Sequence, residues 1–377
     1  MQEDILDIVK NLHMSNIELV FAGAGAGIKA IDSILSVPGA SNTVLEIIIP
    51  YSNSSLDSFL GLKPEKYVSS RTAELMAEKA YYRALELKIT SSKTMLGVSV
   101  TATLPTYYNK KGEIKAYMAI WHSMGLIKYE INFPDQSLSR NYYECLISNY
   151  VIKSINNFHN NSEEDLELKD IIVNIKKYKN SFQALSNNHI KSILIDANSK
   201  TMNDYLNPKA ILSGSFNPLH KGHIELYKLS KKLYGQDVFF EMSISNVDKL
   251  NLLEEEVNLR VAQFENRFPI IITNSSKFNL KSKLFQGSDF IIGIDTAIRL
   301  FDKKYYQNDQ KLMYKSIMEI YNNGCKFLVA GRKYNGHFVN LNDINIDKCF
   351  KEIFLPINES EFREDISSSE IRDDKLI

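Results

Sequence analysis

Two histidines stand three residues apart in the segment AILSGSFNPLHKGHIELYKLSKKLYG. His220 and His223 lie between a strand-like apolar run and a run with helical spacing, so we expect them at the first turn of a helix. A helix N-terminus binds phosphate well, because it offers free N–H groups and partial positive charge. Two imidazoles and Lys221 beside that terminus add donors that point at the same oxygens. The pattern therefore favours a phosphate site.

Two alternatives compete with this interpretation. A zinc site needs three or four ligands, and the seven histidines of the chain supply no obvious partner cluster. The three cysteines are far apart and form no CxxC pair, which disfavours both zinc and a disulfide framework. A polar turn without function is the other alternative, and it would require the further motifs described below to be coincidences.

Residues around the histidines fit a close approach of the backbone to a ligand. Gly214 and Ser215 end the strand-like run, and Asn217-Pro218 is typical of a turn. Near the C-terminus, DISSSEIRDDK places consecutive serines before a helix-forming run, which is typical of a helix cap with spare hydroxyls. Simple capping accounts for one serine but leaves Arg372 unexplained.

From about residue 207 strand-like and helix-like runs alternate. The strand-like runs are AILSGSF, DVFFEMSI, FPIIITN, DFIIGID and CKFLVAG. Strands that alternate with helices predict right-handed crossovers and a mostly parallel, Rossmann-like sheet. Ligands bind such sheets at the carboxyl ends of the strands, near the topological switch point.

Residues 1–158 are predicted to form a separate α/β domain. IELVFAG, NTVLEIIIPYS, SKTMLGVSVTATLP and GEIKAYMAIWHS resemble strands, whereas SSRTAELMAEKAYYRALEL and SRNYYECLISNYVIKSINNF have helical spacing. The polar, acidic HNNSEEDLELKD then predicts a boundary. We interpret 159–206 as a connector with a basic helical piece, a short strand in HIKSILID and a turn, before a second domain over 207–377.

A glycine-rich turn near the start, FAGAGAGIKAID, invites a dinucleotide-binding interpretation. That fingerprint is G-x-G-x-x-G. Here Gly23, Gly25 and Gly27 have the spacing G-x-G-x-G, and Ile28 stands where the third glycine is required. Glu46 lies at a suitable distance downstream, but such an acid is easily found by chance. A plain tight turn between strand and helix is favoured.

Charge and hydropathy exclude several classes of protein. With 45 basic and 45 acidic residues, the chain lacks the basic excess of a sequence-independent nucleic-acid binder. The N-terminus MQEDILDIVKNLHM carries acids early and has no long apolar run, which disfavours a signal peptide. No stretch approaches the ~20 apolar residues that span a bilayer. We expect a soluble, cytoplasmic protein without nucleic-acid or membrane partners.

GSFNPLHKGH resembles the signature of the HxGH-type nucleotidyltransferases, which include nicotinate/nicotinamide mononucleotide adenylyltransferases, phosphopantetheine adenylyltransferases and cytidylyltransferases. FIIGIDTAIRL resembles the G-x-D segment of the mononucleotide adenylyltransferases, and ISSSEIR resembles the closing ISSTxxR element. By this resemblance His220 and His223 are catalytic, and the nucleotide- and phosphate-binding residues are Gly214, Ser215, Phe216, Asn217, Lys221, Gly293, Asp295, Arg332, Ser367, Ser368, Ser369 and Arg372. Lys249 and Arg260 correspond more loosely to basic residues after the second strand. Asp295 is equally suited to capping its own helix.

The resemblance also implies a mechanism without a protein nucleophile. A phosphate oxygen of a small acceptor attacks the α-phosphorus of ATP or another nucleoside triphosphate, and pyrophosphate leaves. Mg²⁺ is the implied cofactor, held by the triphosphate and not by protein ligands. The G-x-D segment favours a pyridine mononucleotide as acceptor. Those enzymes commonly place a tryptophan after that aspartate, whereas here Phe301, Tyr305 and Tyr306 follow, which either stack on a base or pack.

The N-terminal half resembles the CinA C-terminal domain in LSVPGASNTVLEIIIPYSNSSLDSFLG and LGVSVTATLP. Active members deamidate nicotinamide mononucleotide and carry S-C-T-G-G after the first strand. Ala24 stands at the position of the nucleophilic serine. Without a nucleophile, amide hydrolysis by that route is not expected. The resemblance leaves nucleotide binding or a homo-oligomer interface as roles for this domain.

Three functions follow as hypotheses. The first is an adenylyltransferase acting on nicotinate or nicotinamide mononucleotide, in NAD biosynthesis. The second is a cytidylyltransferase or phosphopantetheine-type adenylyltransferase, which shares the motifs and differs in the base and acceptor pockets. The third is a non-catalytic nucleotide-binding regulatory or scaffold protein. Pyrophosphate release distinguishes the enzymes from the binder.

Overall fold

The computed structural model describes residues 2–87, 93–107, 112–161, 171–245, 250–334, 337–344, 346–364 and 371. Contacts divide the chain into two compact units, Met1–Lys179 and Asn180–Ile377. None of the described helices is both long enough and apolar enough to cross a membrane.

The first unit is an α/β sandwich. Its elements are α1 Gln2–Met14, β1 Ile17–Ala24, α2 Ile28–Ser36, β2 Val44–Ile48, α3 Asn53–Leu60, α4 Ser70–Leu87, β3 Thr94–Ala102, β4 Lys115–His122, β5 Gly125–Asn132, α5 Arg140–Asn160 and β6 Ile171–Lys177. In the described part of the chain its strands form one sheet in the order β2-β1-β3-β4-β5-β6. Strand β1 is parallel to β2 and β3, and the pairs from β3 to β6 are antiparallel.

Alternating side chains of β1 build the two cores of this unit. Phe21 packs in a cluster with Ile147 of α5 on one face of the sheet. Its neighbour Val20 packs with Met76 of α4 on the other face. The strand is buried on both sides because successive side chains point to opposite faces, which explains its nearly continuous apolar sequence.

The segment predicted as a connector is shared between the two units. Its predicted basic helical piece is wrong for Ile171–Lys177, which is strand β6 and pairs antiparallel with β5, whereas the following Ser181–Ser186 is helical. Three β-branched residues at its start, Ile171, Ile172 and Val173, favour a strand over a helix. The segment HIKSILID does contain a strand, as predicted, and this strand belongs to the sheet of the second unit.

The second unit has the predicted alternation of strands and helices. Its elements are α6 Ser181–Ser186, β7 Ser192–Ile195, β8 Thr201–Asn203, β9 Ala210–Ser213, α7 Lys221–Tyr234, β10 Val238–Ser243, α8 Glu254–Val261, β11 Ile270–Thr273, α9 Phe278–Leu284, β12 Asp289–Gly293, α10 Ile294–Leu300, α11 Gln310–Asn322, β13 Phe327–Ala330, β14 Arg332–Tyr334, β15 His337–Val339 and β16 Phe354–Ile357. Strands β14 and β15 form a separate hairpin.

The sheet of the second unit reverses its strand order at β9. The order among the described strands is β16-β13-β12-β9-β10-β11-β7-β8. All neighbours from β16 to β11 are parallel, and β7 and β8 extend the edge in antiparallel fashion. Taken in chain order, the six parallel strands have the 3-2-1-4-5-6 arrangement of doubly wound folds, which confirms the predicted parallel sheet. The switch point therefore lies between β9 and β12.

Candidate active site

The switch point brings two of the predicted motifs to one edge of the sheet. Leu212 of β9 is in register with Ile291 of β12. Because the two strands are parallel, Gly214 and Gly293 follow at the same carboxyl edge. The segment after β9 leads into α7, and β12 continues directly into α10. This is where a ligand binds in folds of this kind.

The turn after β9 is built around the buried ring of Phe216. A Cβ atom at position 214 would lie 2.7 Å from this ring, so only glycine fits there. Phe216 itself has a positive φ of 45°, a backbone conformation that residues other than glycine rarely adopt. Its side chain is fully buried and stacks edge-on against Phe240 and Phe264. The prediction that Phe216 contacts the nucleotide is therefore wrong for its side chain, which is a core residue.

The two histidines form a stacked pair at the start of α7. Their ring centroids are 3.7 Å apart with an interplanar angle of 24°. His220 is the N-cap residue, and its backbone N–H donates to Nδ1 of His223 at 3.3 Å. The Phe216 ring packs edge-on against the His223 ring, with centroids 5.0 Å apart. Glycine is favoured at 222, because a Cβ atom there would lie 3.2 Å from the His220 ring.

This packing determines the charge and the tautomer of His223. Burial, with a smaller contribution from the neighbouring His220, lowers the pKa of His223 to about 3. The ring is therefore neutral near pH 7. Since Nδ1 accepts the His220 N–H, the single proton of the neutral ring lies on Nε2. His223 thus presents a fixed, uncharged N–H donor.

Lys221 has a carboxylate partner in this structure. Its ammonium lies 2.7 Å from Oε1 of Glu364, and this contact raises the pKa of Lys221. The lysine side chain is 66% exposed, whereas that of Glu364 is 18% exposed. The contact holds the chain just before ISSSEIR against the N-terminus of α7. Phosphate binding by Lys221 stays a prediction, and it requires Lys221 to act together with Glu364 or to exchange this partner.

Two side chains that follow β10 in sequence hold the turn between β9 and α7. Arg260 of α8 donates to the carbonyl oxygen of Ser215 at 2.9 Å and pairs with Glu256. Gln263 accepts the backbone N–H of Leu219 at 2.8 Å and donates to the carbonyl oxygen of Phe216 at 3.0 Å. Arg260 was predicted as a phosphate ligand. In the structure its guanidinium contacts the backbone of the turn between β9 and α7. Sequence reasoning missed Gln263, because contacts between a side chain and a distant backbone leave no local pattern.

The structure brings Gly293, Asp295 and Arg332 together beside β12. A Cβ atom at position 293 would lie 2.8 Å from Oδ1 of Asp295, so glycine makes room for this carboxylate. Nη1 of Arg332 lies 3.9 Å from the same oxygen. The N-cap residue of α10 is Gly293, without a side-chain cap. Asp295 therefore does not cap α10, which the sequence offered as one of its two roles. Its carboxylate lies beside the guanidinium of Arg332 instead.

A cavity of about 260 Å³ opens beside the turn after β9. Its wall includes Ser213, Gly214 and Ser215 from that turn, and Tyr305 and Tyr306 from the segment after α10. These two tyrosines are the aromatic residues that the sequence offered for stacking on a base. The third one, Phe301, packs in the core against Phe350 and Phe354.

Several predicted ligands lie outside the described residues. They are Lys249, Ser367, Ser368, Ser369 and Arg372. Their roles stay predictions. Within the described ranges, no group of three or more His, Cys, Asp and Glu side chains is arranged to hold a metal ion.

A family model for cytidylyltransferase-like proteins matches residues 211–374. Residues 211–374 form a cytidylyltransferase-like domain. The cytidylyltransferase-like domain contains the histidine pair, the G-x-D segment and the ISSSEIR segment, and the match supports nucleotidyltransferase activity. No curated protein matches the chain.

Solved structures of CinA proteins are similar to about two fifths of the chain. The competence/damage inducible protein CihA from Agrobacterium tumefaciens is 17% identical, covers 40% of this chain and 93% of its own, and has a TM-score of 0.34. A CinA superfamily protein from Klebsiella pneumoniae is 9% identical, with coverages of 43% and 99% and a TM-score of 0.36. One from Enterobacter cloacae is 14% identical, with coverages of 41% and 91% and a TM-score of 0.35.

Proposed function

We propose that the cytidylyltransferase-like domain transfers an adenylyl group from ATP to the phosphate of a pyridine mononucleotide and releases pyrophosphate. The acceptor is nicotinate or nicotinamide mononucleotide. The observation that carries the proposal is the stacked histidine pair at the N-terminus of α7, with His223 neutral, located at the switch point of a doubly wound sheet.

Such an arrangement is suited to a phosphoryl group whose charge increases during reaction. The N–H of His223 Nε2 and the N-terminus of α7 offer donors and partial positive charge without a mobile proton. A neutral ring donates a hydrogen bond but does not transfer its proton to the phosphate. His220 and His223 would thus stabilise the α- and β-phosphates, and the chemistry would depend on positioning and electrostatics.

The proposed step breaks one bond and forms one bond. An oxygen of the acceptor phosphate attacks the α-phosphorus in line, and the bond from this phosphorus to the bridging oxygen of the β-phosphate breaks. Pyrophosphate leaves with that oxygen. The turn after β9 approaches the reacting phosphates through its backbone, and Arg260 and Gln263 keep this turn in position.

Mg²⁺ fits this site as a partner of the nucleotide. The described donors around the start of α7 are N–H groups, imidazoles and the ammonium of Lys221, and the nearby carboxylate of Glu364 is paired with that ammonium, whereas Mg²⁺ prefers oxygen ligands. The triphosphate would supply those ligands, and the ion would neutralise charge on the departing pyrophosphate. The protein residues orient the phosphates.

The cavity beside Ser215 provides room for the acceptor. Tyr305 and Tyr306 in its wall offer faces for a planar base. The hydroxyl of Tyr306 donates to the carbonyl oxygen of Leu300 at 3.0 Å, which fixes this ring. A pyridine mononucleotide would place its base in the cavity and its phosphate toward α7.

A pyrophosphate-release assay tests the proposal. The full chain with Mg²⁺ is given ATP or CTP together with nicotinate mononucleotide, nicotinamide mononucleotide, phosphopantetheine or small alcohol phosphates. We expect release with ATP and a pyridine mononucleotide, and loss of about 10²–10³-fold in rate for His223→Ala. The control Lys228→Ala changes an exposed cation on the same helix that pairs with Glu225.

Each outcome of this assay has a clear meaning. Release only with CTP, or only with phosphopantetheine or an alcohol phosphate, would replace the proposed substrates by those of the related enzymes. Binding of ATP without release across the whole panel would favour the non-catalytic nucleotide-binding function. Full activity of His223→Ala would contradict the role of the histidine pair.

A further inference from the structure

Polar side chains lie side by side on three neighbouring strands where a core would normally be apolar. Glu241 of β10 is in register with Ser213 of β9 and with Ile271 of β11. Thr273 lies two residues beyond Ile271, on the same face of the sheet, and its hydroxyl donates to Oε1 of Glu241 at 2.7 Å. Together they form a polar patch at the carboxyl edge of the sheet.

A buried lysine covers this patch. Lys281 of α9 is only 6% exposed, and its ammonium donates to Oε2 of Glu241, which is fully buried. Removing two charges from water is unfavourable, and an apolar pair of the same size is often as stable as a buried ion pair or more so. Stability alone therefore does not explain why the chain has a charged pair here.

Lys281 lines the wall of the cavity described above, next to Ser213. An ammonium has three N–H donors, and Glu241 accepts from one of them. Among the described residues, the buried hydroxyl of Ser213 has no hydrogen-bond partner. Buried polar atoms without a partner are rare in folded proteins. The hydroxyl of Ser213 therefore indicates that a bound group supplies the missing hydrogen bond.

The charge of the cavity wall indicates the kind of group. Lys277 and Arg299 also line the cavity, and none of its described lining residues is Asp or Glu. Glu241 lies behind Lys281 and holds the ammonium in place. The wall therefore offers cationic and hydroxyl donors and no opposing carboxylate, which suits an anionic oxygen group.

We infer that Ser213 and Lys281, with Glu241 behind them, bind an anionic oxygen group of the acceptor. This inference rests on the proposed function, because it assigns the cavity to the acceptor. The group is either a carboxylate on the base or the acceptor phosphate itself, and both present the same chemistry to the lysine. Glu241 is a positioning residue, whereas Lys281 and Ser213 contact the acceptor.

The double variant Glu241→Leu with Lys281→Met tests this role. Lys281→Met alone is uninformative, because it leaves the Glu241 charge buried without its partner. The double variant keeps the volume and removes both charges. We expect kcat/KM for the acceptor to fall about 10- to 100-fold, while the KM for ATP changes less than about twofold. Lys283→Met is the control on the same helix as Lys281, since Lys283 pairs with Glu319 of α11 and neither residue lines the cavity.

Two mononucleotides distinguish the sources of the anionic group. If the group is a carboxylate, the double variant loses kcat/KM for nicotinate mononucleotide and keeps that for nicotinamide mononucleotide. If the group is the phosphate, both values fall equally. Either result supports the inference, whereas unchanged kcat/KM for both acceptors in a folded double variant overturns it.

A second variant keeps the test decisive if the double variant does not fold. Ser213→Ala removes only the partnerless hydroxyl, and we expect about a 2- to 10-fold fall in acceptor kcat/KM with an unchanged melting temperature. An unaltered value overturns the role of this hydroxyl in binding the acceptor. If the native chain releases no pyrophosphate, the proposed function fails on its own. Calorimetric binding of the two mononucleotides to native protein and Ser213→Ala then still decides the inference.

Discussion

The two units each have a strand that leads through a glycine-containing turn into a helix, but they treat the helix N-terminus differently. In the first unit, the N–H groups of Gly27, Ile28 and Lys29 at the start of α2 donate to the carboxylate of Glu144, at 3.2, 2.7 and 3.1 Å. In the second unit, α7 begins at the histidine pair. The carboxylate that approaches α7 belongs to Glu364, which is paired with Lys221 at 2.7 Å.

The difference shows what a helix N-terminus needs to be a binding site. Every such terminus attracts an anion, because its first N–H groups have no partner within the helix. Where the chain itself supplies a carboxylate, as Glu144 does from α5, that attraction contributes to folding. At α7 the nearby carboxylate of Glu364 is paired with Lys221 instead, and we propose that the attraction of this terminus is available for a ligand phosphate.

The largest effect on the rate is expected from substitution of His223 at the start of α7. His223→Ala removes the fixed Nε2–H donor and should lower kcat by about 10²–10³-fold, whereas Glu144→Ala should leave kcat unchanged. Steady-state pyrophosphate release measures both. Equal losses in the two variants would contradict the distinction between a catalytic and a structural helix terminus.

Glu144→Ala is expected to destabilise the first unit by about 1–3 kcal/mol, because three N–H groups lose a charged acceptor. The single tryptophan, Trp121 of β4, lies in the first unit, so its fluorescence during urea unfolding follows this unit. Glu86→Ala, at an exposed ion pair with Arg83, is the control and should cost less than about 1 kcal/mol. A loss of stability no larger than that of the control would show that Glu144 does not stabilise the N-terminus of α2.

The pH dependence of stability should report the neutral state of His223. Its pKa is about 3 in the folded chain and about 6.5 in the unfolded chain, so below pH 6.5 the unfolded state binds more protons. The free energy of unfolding should therefore decrease as the pH is lowered, by about 2 kcal/mol between pH 6.5 and pH 5. Circular dichroism follows this transition in native protein and in His223→Gln, which should lack the loss. An identical pH dependence in both proteins would mean that His223 titrates normally when folded.

Gln263→Met should lower kcat by about 10-fold, because the turn that carries the histidines loses its contacts to Leu219 and Phe216. Gln263→Glu keeps an acceptor for the Leu219 N–H and should recover part of the rate. The KM for ATP should change less than kcat if Gln263 positions the turn. A variant with native kcat would show that the turn keeps its geometry without this side chain.

The sequence predicted the frame of the second unit well. Strands β7 and β9 to β13 and the start of α7 follow from apolar, β-branched runs, from Asn217-Pro218 and from the helical spacing after His223, all of which act over a few residues. The parallel edge strand β16 and the hairpin of β14 and β15 were not predicted. Phe216 was misjudged, because its place in the motif does not tell whether its side chain or its backbone faces the ligand. The structure resolves this with a ring that is fully buried against Phe240.

Contacts between distant residues were beyond prediction. Glu144 meets Gly27 across 117 positions, and Gln263 meets Leu219 across 44. The pair of Glu241 and Lys281 is hidden for the same reason, since a lone acid in an apolar strand and a lysine in a short helix look like surface residues. The β-branched start of β6, in contrast, was a local signal for a strand.

Adenylyl transfer itself can be followed through the α-phosphate of ATP. The full chain is incubated with Mg²⁺, nicotinate or nicotinamide mononucleotide, and ATP labelled at its α-phosphate. We expect the label to appear in a dinucleotide formed with the acceptor, in amounts equal to the pyrophosphate released. Label found only in AMP or ADP, or kept in ATP while the nucleotide stays bound, would contradict adenylyl transfer at the α7 site.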